Sequence, residues 1–146
     1  TTTLYSVVKM HDAYTKNVLT LEVDPQDDLE GVKQNKFEPT ADGPDFSTQF
    51  RSIVRRDPDV VGVGDLVDQQ TAKEISKIEA DRVRVYLSLR ADSALSAVQT
   101  WMKAVGDNAG AAKVLHGVSA QKLVRKLCVN CRQAYAPSPD MLKKLG

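Results

Sequence analysis

The chain has 146 residues, 42% hydrophobic and 27% charged, with a net charge of +1. That is enough for one domain with a core of its own, and the balanced charge argues against nucleic acid or an anionic membrane as partner. No apolar run approaches the roughly 18 residues of a membrane span, and no signal peptide is visible.

Thr3 to Tyr14 reads as a helix, with Leu4, Val7, Val8 and Tyr14 near one face. Asn17 to Val23 reads as a strand. Asp24 to Asp45 is polar and broken by Pro25, Pro39, Gly43 and Pro44, so it reads as loop with a short strand near Val32–Phe37. Phe46 to Arg56 is helical, because Phe46, Phe50, Ile53 and Val54 share a face. Asp59 to Val63 is a short buried strand. Gln69 to Ala80 reads as a helix. Val83 to Leu89 alternates, placing Val83, Val85, Leu87 and Leu89 together. A helix follows from Ser93, a natural N-cap, to Val105. On it Trp101 and Met102 join Leu95, Val98 and Val105 in a core-packing pattern. Ala109 to Leu127 reads as helical, in one piece or two around Gly117. The tail from Arg132 is polar. There is no internal repeat, and the start at Thr1 rather than Met is that expected of a piece of a longer protein.

Strands alternating with helices imply an α/β fold with a largely parallel sheet. Such sheets bind ligands at the C-terminal ends of their strands. Glu22 and Asp65 fall at two such ends. The pair Gly62-x-Gly64 is not a dinucleotide loop, because position 67 of that pattern is Val67 rather than glycine. Cys128 and Cys131 are spaced C-x-x-C, which argues against a disulfide scaffold and fits an intracellular chain.

From Phe46 to Ala72 a helix leads into Asp57-Pro58-Asp59, then a β-branched strand, then Gly64-Asp65. This stretch resembles the motor ATPases of bacterial type II secretion and type IV pilus assembly. The opening TTTLYSVV resembles the helix start that follows their phosphate loop, and NVLTLE the strand leading to their acidic box. GVSAQKLVRKLC resembles the helix before their zinc module. The resemblance implies a RecA-like P-loop NTPase core over 1–127 and the start of a tetracysteine zinc segment over 128–146. It places the family's first strand and phosphate loop upstream of Thr1, which leaves a gap in the sheet.

On this resemblance Glu22 and Asp65 are the catalytic acids. Thr1 is the Mg²⁺-ligating hydroxyl, and Asp59, Arg90, Arg51 and Arg55 join it around ATP and Mg²⁺. Cys128 and Cys131 are half of a zinc site that a longer parent would complete. The implied assembly is a homo-hexamer in the cytoplasm, docked on inner-membrane platform proteins, with no nucleic acid bound.

The departures from the pattern carry equal weight. Asp65 stands where the family has Glu, and Val67 where it has Arg. Val23 and Gln26 replace two acids of the acidic box. Asp81 to Arg90 occupies the histidine box with neither histidine, and Arg82 replaces its glycine. A P-loop enzyme needs its carboxylates placed near Mg²⁺ and the attacking water, and an error on the order of 1 Å costs ~10²-fold in rate. The expected function is therefore a degenerate motor with weakened or lost hydrolysis and an assembly role. The alternative is a divergent but active hexameric ATPase. Bland readings stand beside these: Asp65 as a plain cap of the next helix, Arg90 as a solvated arginine or a partner of Asp92 or Glu22, and Arg51 and Arg55 as a solvated helix face.

Overall fold

The structure, a computed structural model, describes residues 1–145. Its elements are α1 (Thr2–Val8), β1 (Val18–Glu22), β2 (Lys33–Lys36), α2 (Phe46–Val54), β3 (Val60–Val63), α3 (Gln69–Ile75), β4 (Arg84–Leu87), α4 (Ala94–Val105), α5 (Asn108–Lys113) and α6 (Pro139–Leu145). The four strands pair in the order β2-β1-β3-β4, and every pairing is parallel. The α/β reading therefore holds. The expected gap does not fall among these strands; they hydrogen-bond without interruption.

Strand alternation sorts β1 cleanly between two layers. Leu19 and Leu21, with Val61 and Val63, face a core closed by Phe46, Phe50 and Ile53 of α2, Ala72 and Ile75 of α3, and Trp101, Ala104 and Val105 of α4. Val18 and Val60 face the other way, onto Leu4, Tyr5 and Val8 of α1. Thr20 and Glu22 lie on that second face too. There α1 sits unusually close to the sheet. A Cβ on Gly62 would come within 3.1 Å of Val8 Cγ2 and 3.2 Å of Thr20 Cγ2. Gly62 is thus a strand glycine that admits a helix, not part of a nucleotide loop.

The foot of the sheet is knotted by the Asp57-Pro58-Asp59 turn. Asp59 Oδ2 accepts the Asn17 N–H at 2.7 Å, and the Asp59 N–H donates to the Asn17 carbonyl at 3.0 Å. Asn17 Nδ2 donates to the carbonyls of Arg56 and Asp57. Asp57 takes a left-handed backbone at φ 53°, a conformation that asparagine and aspartate reach most readily after glycine. Arg82 donates to its carboxylate at 2.7 Å.

Several helices stop earlier than periodicity suggests. α1 ends at Val8 rather than Tyr14. Asp12 captures the Tyr14 N–H and the Thr15 hydroxyl with its own side chain, which competes with helix continuation, and Tyr14 is left exposed. α3 ends at Ile75 rather than Ala80. The larger correction is 114–127, which is not helical. Leu123, Val124 and Leu127 are exposed there, and a helix this short is marginal in water with nothing to pack on. α4 forms as read, with Ser93 and Ser96 making a reciprocal capping box. Trp101 is buried and donates its indole N–H to the Ala111 carbonyl at 3.1 Å. Leu95, expected in the core with it, is 69% exposed.

Two outcomes follow from this packing. Phe50→Ala should lower the unfolding free energy by about 3–5 kcal/mol in urea titration, whereas Leu95→Ala should change it by less than ~0.5 kcal/mol. The second concerns His11, half-buried with Nε2 2.9 Å from the Tyr86 hydroxyl. Burial, then Lys16 and Arg84, hold it below its ordinary value of 6.5. Protonation therefore favours the unfolded chain, and stability present above that value is lost as pH falls through it. Unfolding curves across this range should slope downward toward acid, and His11→Phe should flatten them.

Candidate functional site

The C-terminal ends of β1 and β3 lie side by side, with Leu21 opposite Val63. The next residues, Glu22 and Gly64, are in contact: a Cβ on Gly64 would meet Glu22 Cγ at 3.1 Å. Asp65 follows directly, half-buried. The structure thus brings the two sequence-predicted acids to neighbouring strand ends, where an α/β sheet presents its ligands.

Glu22 is 3% exposed. A carboxylate at that depth needs donors, and it has three. The Tyr5 hydroxyl donates to Oε2 at 2.6 Å. The Thr20 hydroxyl donates to Oε1 at 2.7 Å, and Gln34 Nε2 reaches the same oxygen at 3.4 Å. None of the three carries a charge. Burial pushes the Tyr5 hydroxyl above its usual range, and its bond to Glu22 adds to the effect; a proton so held is a donor, not an acid. Both Glu22 oxygens accept hydrogen bonds from within the protein. Tyr5 and Gln34 were not singled out from the sequence, whereas Thr20 and Glu22 both match the acidic box that the resemblance implies.

Asp65 stands differently. The helix that follows it is capped by Asp68, whose carboxylate accepts the Thr71 N–H at 2.6 Å, so the plain-cap reading of Asp65 does not hold. The ion pairs among the described residues are Lys36–Glu38, Lys77–Glu74 and Arg82–Asp57. Arg90 is in none of them and is exposed beyond the end of β4, so it pairs with neither Asp92 nor Glu22. Thr1 is exposed at the start of α1, and its hydroxyl caps no helix N–H.

Other predicted ligands lie elsewhere. Asp59 precedes β3 whereas Asp65 follows it, so the strand's whole length separates them; Asp59 binds Asn17 at the foot of the sheet. Arg51 and Arg55 are exposed on α2. Arg51 donates to Thr48 in its own helix, and Arg55 ends that helix just above the same foot. Cys128 and Cys131 are exposed free thiols on a turn closed by the Arg132 N–H to the Cys128 carbonyl. Backbone N–H groups of Asn130 and Cys131 pull the Cys128 thiol below its usual range. Two thiols supply half of a tetrahedral zinc set. Among the described residues no cluster of three or more His, Cys, Asp or Glu is arranged to hold a metal, and no helix is long and apolar enough to cross a membrane. Glu22 accepts one bond on Oε2 and two on Oε1, so most of its acceptor capacity is used within the protein.

The pattern of Type II/IV secretion system proteins matches residues 1–145. The chain belongs to this family. It is 33% identical over 145 residues to the type II secretion system protein E of Dickeya dadantii, covering 99% of this chain and 29% of that protein. It is 29% identical over 144 residues to the type IV pilus assembly ATPase PilB of Thermus thermophilus, covering 99% of this chain and 16% of that one. The chain thus spans less than a third of either relative's length. Among solved structures it is similar to the Legionella pneumophila ATPase DotB, with a TM-score of 0.54 and 16% identity over 73% of this chain and 31% of that one. That likeness shows the fold, a P-loop NTPase fold in which a parallel sheet is flanked by helices.

The Glu22 cage generates one prediction. Thr20 is fully buried, and Thr20→Val keeps its shape while removing the Oε1 donor. The variant should lose about 1–3 kcal/mol of stability in urea titration, far more than an exposed Thr→Val change.

Proposed function

We propose that the chain is part of the ATPase core of a secretion or pilus-assembly motor in which hydrolysis is weakened or lost, so that the protein serves assembly more than turnover. The observation that carries this reading is the state of the two acids. Both Glu22 oxygens already accept bonds, from Tyr5 and Thr20, and Asp65 is one carbon shorter than the family's acid at the same strand end. A carboxylate drawn back by roughly one bond length loses its grip on a metal's water shell, and displacements on the order of 1 Å cost ~10²-fold. Arg90 fits the same direction: arginine offers a permanent, forked charge to a phosphate but does not exchange a proton near neutrality as histidine does.

Asp59 does not weigh for the other reading. The intact Asp57-Pro58-Asp59 frame looks catalytic in sequence, yet its hydrogen bonds serve the foot of the sheet. Its retention therefore says nothing about turnover. A second reading, a divergent but active hexameric ATPase, rests on the retained Glu22. In either reading the oligomer is a hexamer on inner-membrane platform proteins at the cytoplasmic face. Cys128 and Cys131 begin a zinc segment from 128 onward, completed by further thiols in a longer parent.

Steady-state ATP hydrolysis with Mg²⁺ by the full-length protein, beside its Asp65→Glu variant, tests the proposal. Turnover near background in both is the expected result, because several positions have changed together. Turnover of the unmodified protein at ordinary enzyme rates, on the order of 1 s⁻¹ or more, would overturn it in favour of the active motor. Rescue by Asp65→Glu alone would place the defect on that one carbon.

A further inference from the structure

The segment between β1 and β2, residues 23–32, carries the chain from one end of the sheet to the other without a helix. Asp24, Gln26, Asp27, Asp28 and Glu30 along it are exposed, and four of those five repel one another as carboxylates. The segment is nonetheless fixed at three backbone groups by two side chains. The Gln26 N–H donates to the Tyr5 hydroxyl at 3.0 Å. The Leu29 N–H donates to Gln34 Oε1 at 2.7 Å, and Gln34 Nε2 donates to the Asp27 carbonyl at 3.0 Å. Both of those side chains also donate to Glu22. Leu29 is thereby pressed into the α1 layer, 4% exposed.

One oxygen joins the two halves of this arrangement. The Tyr5 hydroxyl has a single proton and gives it to Glu22; its lone pairs take the Gln26 N–H. A hydroxyl that donates to a carboxylate becomes a better acceptor, so each bond strengthens the other. Turning Glu22 away leaves the hydroxyl without its acceptor and weakens its hold on Gln26. We propose that Tyr5 is a positioning residue for Glu22 and that its hydroxyl couples the carboxylate to segment 23–32, so that Glu22 turns toward a ligand only as this segment lets go. The identity of that ligand rests on the nucleotide reading above; the coupling does not.

The test is amide hydrogen exchange and proton NMR on the wild-type protein, Tyr5→Phe and Glu22→Gln, all without nucleotide. Both variants should speed exchange at Gln26 by about ten-fold, the equivalent of one hydrogen bond, while Val61 in β3 stays unchanged. The effect in Glu22→Gln is the diagnostic one, because Glu22 does not touch Gln26. The Tyr5 hydroxyl proton should give a downfield signal in the wild type, absent in Tyr5→Phe and moved upfield in Glu22→Gln. Unchanged exchange at Gln26 in Glu22→Gln would overturn the coupling, and so would a uniform rise that includes Val61. Glu22→Gln preserves side-chain volume and carries the test alone if Tyr5→Phe does not fold. No nucleotide enters, so a negative result here is distinct from failure of the ATPase reading.

Discussion

A carboxylate buried at the end of a strand, held by three neutral donors, is the constraint on which the rest of this molecule turns. Glu22 cannot sit 3% exposed without those donors, because an unpaired buried charge costs several kcal/mol. Satisfying it dictates the neighbours. Tyr5 must reach it, so α1 must lie close on the sheet, and Gly62 must lack a side chain for α1 to fit. Gly64 must be bare so that β3 can pass the glutamate. Gln34 must lean in from β2, which fastens the connecting segment on its way. Small residues and donors from separate parts of the chain thus answer to one side chain.

The fold was legible because β1, β3, β4 and the two longest helices carry apolar residues in the pattern of their own geometry. β1 and β3 are nearly all apolar, as strands covered on both faces are, and α2 and α4 carry clear apolar stripes. Misreadings fell where something other than periodicity decides. α1 stops at Val8, and Asp12 holds the turn that follows through its own side chain. Segment 114–127 has helical spacing, but only Val114 and Leu115 at its start pack on the core, while Leu123, Val124 and Leu127 are exposed. Leu95 keeps the spacing of the α4 core face yet stands exposed at the helix start.

The site was legible only in part, for a reason of the same kind. Position at a strand end is written in the sequence, so Glu22 and Asp65 emerge together. Orientation is not. Which end of β3 Asp59 occupies could be read, yet its use was not, since the bond from the Asn17 N–H joins residues far apart in the chain. The donors to Glu22 come from residues 5, 20 and 34, three different elements. Family membership adds what geometry cannot: it places the chain among the Type II/IV secretion system proteins. What the geometry adds in return is that this glutamate, Glu22, is already hydrogen-bonded within the protein on both oxygens.

The most direct test of this account is equilibrium unfolding of Glu22→Ala in urea. A carboxylate kept only for chemistry strains its surroundings, and removing such a group commonly stabilises a protein. A carboxylate that organises its surroundings leaves orphaned donors behind. The account predicts the second outcome: a loss of about 2–5 kcal/mol, from the stranded Tyr5 and Thr20 hydroxyls and the released segment after β1. A variant as stable as the wild type, or more so, would contradict it.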